Sequence, residues 1–429
     1  MQLASASVHK RAWEDRHGQA ISHRPDFQPS TPQLHRSRCR WSALPPRPRA
    51  SSPARKTVLA SATRRATPAA TAGPATAAAG GTHKRRRVSV GSTEEYEETC
   101  RLGKGGYGAV VKARHRATGQ TFAIKRLVRA SDPDGGQADA EEGLLREARF
   151  LEECDGVPFV VGFHGVVRDP ATEDLCLVME CVGPSLHDFL RQRRRGSPPL
   201  PEATVRAVMW QLLTGAKKMH ERGIVHRDIK PENVLLNDDH TVVKICDFGL
   251  AMSMSEAPPY EPAGTLWYKA PEMLLEMPDY GALVDTWSLG CVMAELITRK
   301  PLFQGFHEDG QLCAIFDVLG VPDDETWPGF SSTAFATEVL SELDVELYSH
   351  LRETFPEAKL SEQGFEVLNG LLTCNPEKRL TAAAALKLPW FAKVDALKLP
   401  GKDEVASALP KKTELLLFDR LKRRKLQCV

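Results

Sequence analysis

Two stretches near the middle of the chain carry residues whose types and spacing suit work on phosphates. The first is Gly103-Lys104-Gly105-Gly106-Tyr107-Gly108. A glycine-rich turn lets backbone N–H groups approach phosphate oxygens. In a dinucleotide-binding unit the last glycine would open a helix. Here Ala109-Val110-Val111-Lys112 follows, an alternating strand pattern. The expectation is a hairpin whose backbone lies over a triphosphate. The second stretch is Phe122-Ala123-Ile124-Lys125, with Lys125 seventeen residues beyond Gly108. A strand-borne ammonium can contact α- and β-phosphate oxygens, but a buried lone lysine is costly unless an acid pairs with it. Glu147, in Leu144-Leu145-Arg146-Glu147-Ala148, is the candidate partner. Before Glu147 is counted, a flexible glycine loop beside a surface lysine explains both stretches equally well.

A third stretch decides between these readings. It is His226-Arg227-Asp228-Ile229-Lys230-Pro231-Glu232-Asn233, followed fourteen residues later by Asp247-Phe248-Gly249 and then by Ala270-Pro271-Glu272. In this order and spacing the motifs resemble those of the eukaryotic protein kinases, over roughly Tyr96 to Phe391. The resemblance implies a two-lobed α+β fold. A small antiparallel β-rich N-lobe with one key helix would span about 95–181, and a larger, mainly α-helical C-lobe about 182–391. It also implies ATP and Mg2+ as cofactors and proteins as substrates.

In-line phosphoryl transfer needs positioning and charge neutralisation more than covalent chemistry. By the resemblance, Asp228 would orient the substrate hydroxyl and accept its proton, and Asn233 and Asp247 would hold magnesium. Lys230 would stabilise the transferring phosphoryl group, with Thr265 supporting Asp228 and Lys230 as in the serine/threonine branch. The ATP site would comprise Leu102, the glycine-rich run Gly103 to Gly108, Val110, Ala123, Lys125 and Glu147. Met179-Glu180-Cys181-Val182 would form the hinge that binds adenine, with Met179 as gatekeeper. Ser185 stands at the ribose position, where relatives often carry an acid. Asp285 resembles the buried aspartate that anchors the catalytic loop, and Glu272 with Arg379 resembles an internal ion pair.

Thr265-Leu266-Trp267-Tyr268-Lys269-Ala270-Pro271-Glu272, and later Leu302-Phe303-Gln304-Gly305 to Trp327-Pro328-Gly329, look like the cyclin-dependent kinase family, nearest its plant F type. Several positions depart from that pattern. The cyclin-contacting helix of the family reads PSTAIRE, whereas this chain has Glu141-Glu142-Gly143-Leu144-Leu145-Arg146-Glu147, so a cyclin partner is an open expectation. Relatives phosphorylate a threonine five residues before the position of Thr265 and clasp it with three arginines. This chain has Tyr260 there, and Met252 in place of one clasp arginine, while Arg146 and Arg227 remain. The expectation is that Glu261 or a phosphorylated Tyr260 substitutes. Tyr107 matches an inhibitory phosphotyrosine position, its neighbouring threonine being replaced by Gly106. Gly264 suits the strained backbone that shapes a proline-directed pocket, so Ser/Thr-Pro substrates are expected. Lys269 replaces an arginine that ties the loop.

Regular elements must hold these residues. Alternating apolar positions predict strands over Ala109–His115 and Gln120–Arg126, separated by a turn at Thr118-Gly119. A helix is predicted over Ala138–Cys154, and strands over Phe159–Val167 and Leu175–Glu180. In Pro201–Arg222 apolar residues recur at three- and four-residue steps, predicting a helix with one buried face that stops at Gly223. Val284–Thr298 is apolar all round, as suits a helix inside a lobe.

The 429 residues carry a net charge of +2, which conceals a division. Residues 1–92 hold 17 Lys and Arg against 3 acids, and the remainder 40 against 52, giving +14 and −12. The first segment is rich in Ser, Pro, Ala, Arg and Thr and reads as a disordered basic arm. Residues 392–429 read as a basic tail. No apolar run of about 18 residues predicts a membrane span, and neither a secretory signal nor a myristoyl or prenyl motif is evident. The ten cysteines are scattered without paired CxxC motifs, so zinc is not expected. His83-Lys84-Arg85-Arg86-Arg87 and Lys422-Arg423-Arg424-Lys425 fit nuclear import, although the arm also resembles an organelle transit peptide. Two further function classes stand beside the kinase. A silent kinase-fold scaffold conflicts with intact Lys125, Glu147, Asp228, Asn233 and Asp247, and a nucleic-acid binder rests only on the basic flanks.

Overall fold

Period-two burial builds the N-terminal sheet. In the computed structural model, which describes residues 91–105, 108–126, 136–194, 196–258, 260, 262–340, 348–394 and 396–397, the first elements are β1 (Gly91–Ser92), β2 (Tyr96–Gly105), β3 (Gly108–His115) and β4 (Thr121–Arg126). Helix α1 (Gly136–Glu153) follows, then β5 (Phe163–Arg168) and β6 (Leu175–Glu180). These strands form one six-stranded sheet in the order β1-β5-β6-β4-β3-β2. All its pairings are antiparallel except β1 with β5. Along β6, Cys176 and Val178 face a small cluster with Val111, Ala113, Ile124 and Val167. Leu175, Leu177 and Met179 face the other way, into the core shared with α1 residues Leu144, Ala148 and Leu151.

Two boundaries differ from the sequence reading. Gly91 and Ser92, placed in the basic arm by composition, pair with Val167 and Arg168. The strand expected from Phe159 begins only at Phe163. Phe159 is left-handed (φ +62°), and its carbonyl accepts the Ile245 N–H at 2.9 Å while Val161 N–H donates to the Ile245 carbonyl. That stretch is therefore bound to the C-terminal lobe. The arm residues 1–90 and the tail residues 398–429 lie outside the described residues.

The second lobe is mainly helical: α2 (Leu186–Gln192), α3 (Glu202–His220), α4 (Pro271–Leu274), α5 (Leu283–Thr298), α6 (Glu308–Leu319), α7 (Leu351–Thr354), α8 (Glu362–Leu371) and α9 (Ala382–Ala385). Between α3 and α4 lie the short strands β7 (Ile224–Val225), β8 (Val234–Leu236), β9 (Val243–Ile245) and β10 (Met252–Ser253). β7 pairs with β10 and β8 with β9. Helix α3 buries Val205, Val208, Met209, Leu212, Ala216 and Met219, the face its periodicity predicts, and Gly223 ends the turn at φ +73°. Every residue of α5 from Val284 to Ile297 is buried. Among the described residues no helix is long and apolar enough to cross a membrane.

Candidate active site

The β2–β3 hairpin carries the glycine-rich sequence. Pairing runs from Tyr96 opposite His115 to Gly105 opposite Gly108, so the run opens a strand as predicted. Gly106 and Tyr107 at the tip lie outside the described residues, as does the side chain of Lys104. Gly108 takes φ +143°, which glycine adopts without a Cβ clash. A Cβ on Gly103 would meet nothing within 4 Å, so that side of the hairpin faces open space.

Lys125 occupies mid-strand in β4, opposite Val110 on β3 and Leu177 on β6. Its ammonium lies 2.8 Å from both Glu147 oxygens and 2.7 Å from Asp247 Oδ1. Lys125 and Glu147 are both buried. Burial by itself would favour the neutral amine, but the two carboxylates outweigh it and hold the ammonium protonated well above the usual lysine range. Burial likewise disfavours ionised Asp247, yet the Lys125 charge holds its carboxyl below the usual carboxylate range. Asp247 is left-handed (φ +66°), uncommon for a non-glycine residue. A Cβ on Gly249 would stand 3.4 Å from Asp247 Oδ1 and 3.7 Å from Lys125 Nζ, so the glycine leaves this charge cluster open on one side.

The 226–233 segment is fixed from beneath by α5. Fully buried Asp285 accepts hydrogen bonds from the backbone N–H groups of His226 (2.9 Å) and Arg227 (2.8 Å) and lies 2.8 Å from His220 Nε2. Burial would raise its pKa, but the hydrogen bond and charge of His220, with the His226 ring and amide, bring it below the usual range. Arg227 is left-handed (φ +66°), which turns the loop. A single 3-10 turn over Pro231–Asn233 then folds Asn233 back on Asp228.

Four donors converge on the Asp228 carboxylate. Thr265 N–H and Oγ1–H donate to Oδ1 at 2.9 and 2.7 Å. Lys230 Nζ and Asn233 Nδ2 donate to Oδ2 at 2.8 and 3.1 Å. Lys230 also donates to Thr265 Oγ1 at 2.6 Å. The Cys246 N–H bonds the Asn233 carbonyl, fastening the strand that leads to Asp247 onto the same loop. An oriented acceptor, a neighbouring ammonium and a second acid joined to a lysine on the opposite lobe form an arrangement for moving a phosphoryl group.

The comparisons with known proteins agree. The family described as "Protein kinase domain" matches residues 96–391. The protein named "Putative cyclin-dependent kinase F-2" of Oryza sativa subsp. japonica is 47% identical over 309 residues, 70% of this chain and 91% of that one. Cyclin-dependent kinase G1 of Arabidopsis thaliana is 38% identical over 329 residues, 75% of this chain and 52% of that one. Cyclin-dependent kinase B2-2 of Arabidopsis thaliana is 34% identical over 312 residues, 71% and 95% of the two chains. The chain belongs to the cyclin-dependent protein kinases. It is an ATP-dependent protein serine/threonine kinase, and a silent scaffold is not indicated.

The kinase places the remaining expected residues as follows. Ala123, Met179 and Val182 are buried, Val110 is half-buried and Leu102 is exposed. Ala123 pairs with Met179 across β4 and β6, beside the hinge. The Glu180 carboxylate is held by Lys244 Nζ at 2.7 and 2.6 Å and by the Gly162 N–H at 3.0 Å, so β9 braces the hinge. Ser185 Oγ caps α2, accepting the Asp188 N–H at 3.1 Å and donating to Asp188 Oδ2 at 2.8 Å. A ribose hydroxyl there would have to share it. Arg379 forks onto Glu272 with bonds of 2.6 and 2.7 Å, both residues buried. Among the described residues no group of three or more His, Cys, Asp or Glu is placed to hold a metal, zinc included.

On the activation segment the structure adds an acid that the sequence expectation did not include. Tyr260 Oη donates to Asp279 Oδ1 at 3.4 Å, and its ring packs edge-on against Tyr280. Glu261 lies outside the described residues. The acid found on Arg146 is Glu256, which the sequence reading passed over. A signal was present, because Glu256 is the one acid between Asp247 and Tyr260. Met252, at the lost arginine position, is fully buried in β10 opposite Val225.

Proposed function

We propose that this kinase transfers the γ-phosphate of ATP to a serine or threonine followed by proline, with Asp228 as the base, Lys230 as the phosphoryl-stabilising cation and Thr265 as their support. The observation that carries this reading is the four-donor cradle around the Asp228 carboxylate. The substrate oxygen would bond to the γ-phosphorus as the bond to the bridging oxygen of ADP breaks, and the hydroxyl proton would pass to Asp228. An ionised carboxylate offers about four acceptor positions, and four donors already hold this one. A substrate hydroxyl can enter when one donor leaves. Lys230 is on the longest and most flexible of those side chains, and an arriving phosphoryl group gives its ammonium a more strongly charged acceptor. Its turn toward phosphate would open Oδ2 to the hydroxyl.

Asp247 and Asn233 would hold Mg2+. Magnesium prefers oxygen donors and retains several positions for water and phosphate. A carboxylate and an amide oxygen suit that requirement without a three-residue cluster. Bound there, the ion would neutralise phosphate charge. Lys125, fixed by Glu147, would meet the α- and β-phosphates beneath the glycine hairpin, and Met179 to Val182 would receive adenine.

Gly264 supports the proline preference. It is left-handed (φ +87°), and a Cβ there would lie 2.8 Å from the Arg227 carbonyl oxygen. A backbone turned away beside Thr265 leaves the N–H of an ordinary following residue unpaired, a cost that proline avoids. Exposed Leu145 on α1 favours a protein partner, of cyclin type, on that helix. The basic runs at 83–87 and 422–425 favour nuclear import.

A pair of peptides differing only as Ser-Pro and Ser-Ala tests the reading with ATP and Mg2+. A preference of about tenfold or more in kcat/KM for Ser-Pro, about 1.4 kcal/mol, is expected from the wild type. Equal rates would remove the proline preference. Incorporation by Asp228→Asn at the wild-type rate would remove Asp228 as the base.

A further inference from the structure

We propose that Glu256 is a positioning residue: its carboxylate, joined to Arg146, holds α1 in the orientation that presents Glu147 to Lys125, with no phosphate on the activation segment. This rests on the reading of Lys125 and Glu147 as part of the ATP site.

Arg146 and Glu147 are consecutive on α1, so restraining one restrains the rotation of the helix that carries the other. Arg146 Nη2 donates to Glu256 Oε1 at 2.9 Å and to Oε2 at 2.7 Å. The guanidinium also lies 5.6 Å from the Phe150 ring centre, one turn along the same helix. Glu256 is anchored at the other end. Its Oε1 accepts the Ser253 N–H at 2.9 Å, while its own N–H donates to the Ser253 carbonyl at 3.0 Å. Ser253 pairs with Ile224 in β7, and the Met254 N–H donates to the Gly223 carbonyl. The contact therefore ties α1 to the strand that runs into His226-Arg227-Asp228.

The charge is suited to this task. Partial burial alone would raise the Glu256 pKa, but the Ser253 amide, Arg146 and the Arg227 charge together lower it below the usual glutamate range. A carboxylate supplied by the chain thus sits on Arg146, where relatives of the resembled family place a phosphate, and Tyr260 is directed to Asp279 instead.

The test uses the full chain after phosphatase treatment, in six forms: wild type, Glu256→Gln, Glu256→Asp, Arg146→Gln, the double variant of Glu256→Gln with Arg146→Gln, and Ser253→Ala with Ser255→Ala. Phosphate incorporation is measured against Asp228→Asn, and amide hydrogen exchange is followed over α1. The treated wild type and the serine variant are expected to remain active and to protect α1. Glu256→Gln and Arg146→Gln are each expected to lose about three- to tenfold in kcat/KM, with KM for ATP raised and α1 exchanging faster. The double variant is expected to lose no more than either single one, and Glu256→Asp to recover part of the loss. Unchanged α1 exchange in Glu256→Gln, or loss of activity in the serine variant, overturns the proposal. Should wild-type incorporation not exceed that of Asp228→Asn, the catalytic reading falls, and the exchange comparison still decides the role of Glu256.

Discussion

Two neighbouring residues of α1 make ion pairs of opposite kind. Glu147 meets Lys125 with side chains only 5% and 7% exposed, whereas Arg146 meets Glu256 with both side chains 39% exposed. The first pair is desolvated. Its Coulomb attraction is large, and removing one member leaves a charge without its partner in a poor solvent for ions. The second pair is wetted and screened by salt, so its net contribution to stability is small. One helix is thereby clamped on the side that faces the ATP site and adjustable on the side that faces the activation segment. The Glu272–Arg379 pair in the C-terminal lobe has the buried character of the first, with side chains 2% and 0% exposed.

If burial decides the worth of these pairs, Glu272→Gln has the largest effect on stability. It leaves the Arg379 guanidinium with carbonyl partners at Thr373, Leu283 and Cys374 but no counter-charge. A loss of about 3–5 kcal/mol is expected in chemical denaturation, and a loss below about 1 kcal/mol would break the comparison.

Glu147→Gln comes next. Asp247 remains beside Lys125, so stability should fall less than in Glu272→Gln, while kcat/KM should fall on the order of a hundredfold as the lysine follows Asp247. An enzyme assay paired with a melting curve separates the two effects. Activity within about twofold of wild type would contradict the assignment of Glu147.

The smallest effect on stability belongs to Arg146 and Glu256. A double-mutant cycle should give about 0.2–1 kcal/mol, falling as salt rises from ~0.05 to ~0.5 M. Because the folded-state pKa of Glu256 is lowered, the stabilisation is fully present above the unfolded value of about 4.3. It is lost as pH falls through the lowered folded value. The stability difference between wild type and Glu256→Gln should therefore be constant near neutrality and shrink in acid. A difference that grows on acidification would have the wrong sign.

Much of this arrangement was legible before any coordinates. The residues of the catalytic loop are close in sequence, so His226 to Asn233 could be read as a unit, and the alternation after Gly108 already distinguished a hairpin from a helix-opening turn. The faces of α3 and α5 followed from their apolar spacing, which is a local property of the helix. The hinge strand was equally visible, but the brace from Lys244 to Glu180 was not. The two residues are 64 positions apart, and Lys244 belongs to no recognisable pattern. The premature start assigned to the strand at Phe159 had a similar cause, because a tertiary bond to Ile245 overrode a favourable local composition.

The sequence by itself determined the kinase family, the grouping of Asp228, Lys230 and Asn233 on one loop ahead of Asp247, and the order of the two lobes, because those depend on residue type and short spacing. Only the tertiary structure decided which acid meets Arg146. The sequence reading looked near Tyr260, the position matched by the family pattern, whereas the folded chain brings Glu256 across from 110 residues away. The pairing of β10 with β7 sets where the segment turns, and charge then selects the acid within reach of Arg146.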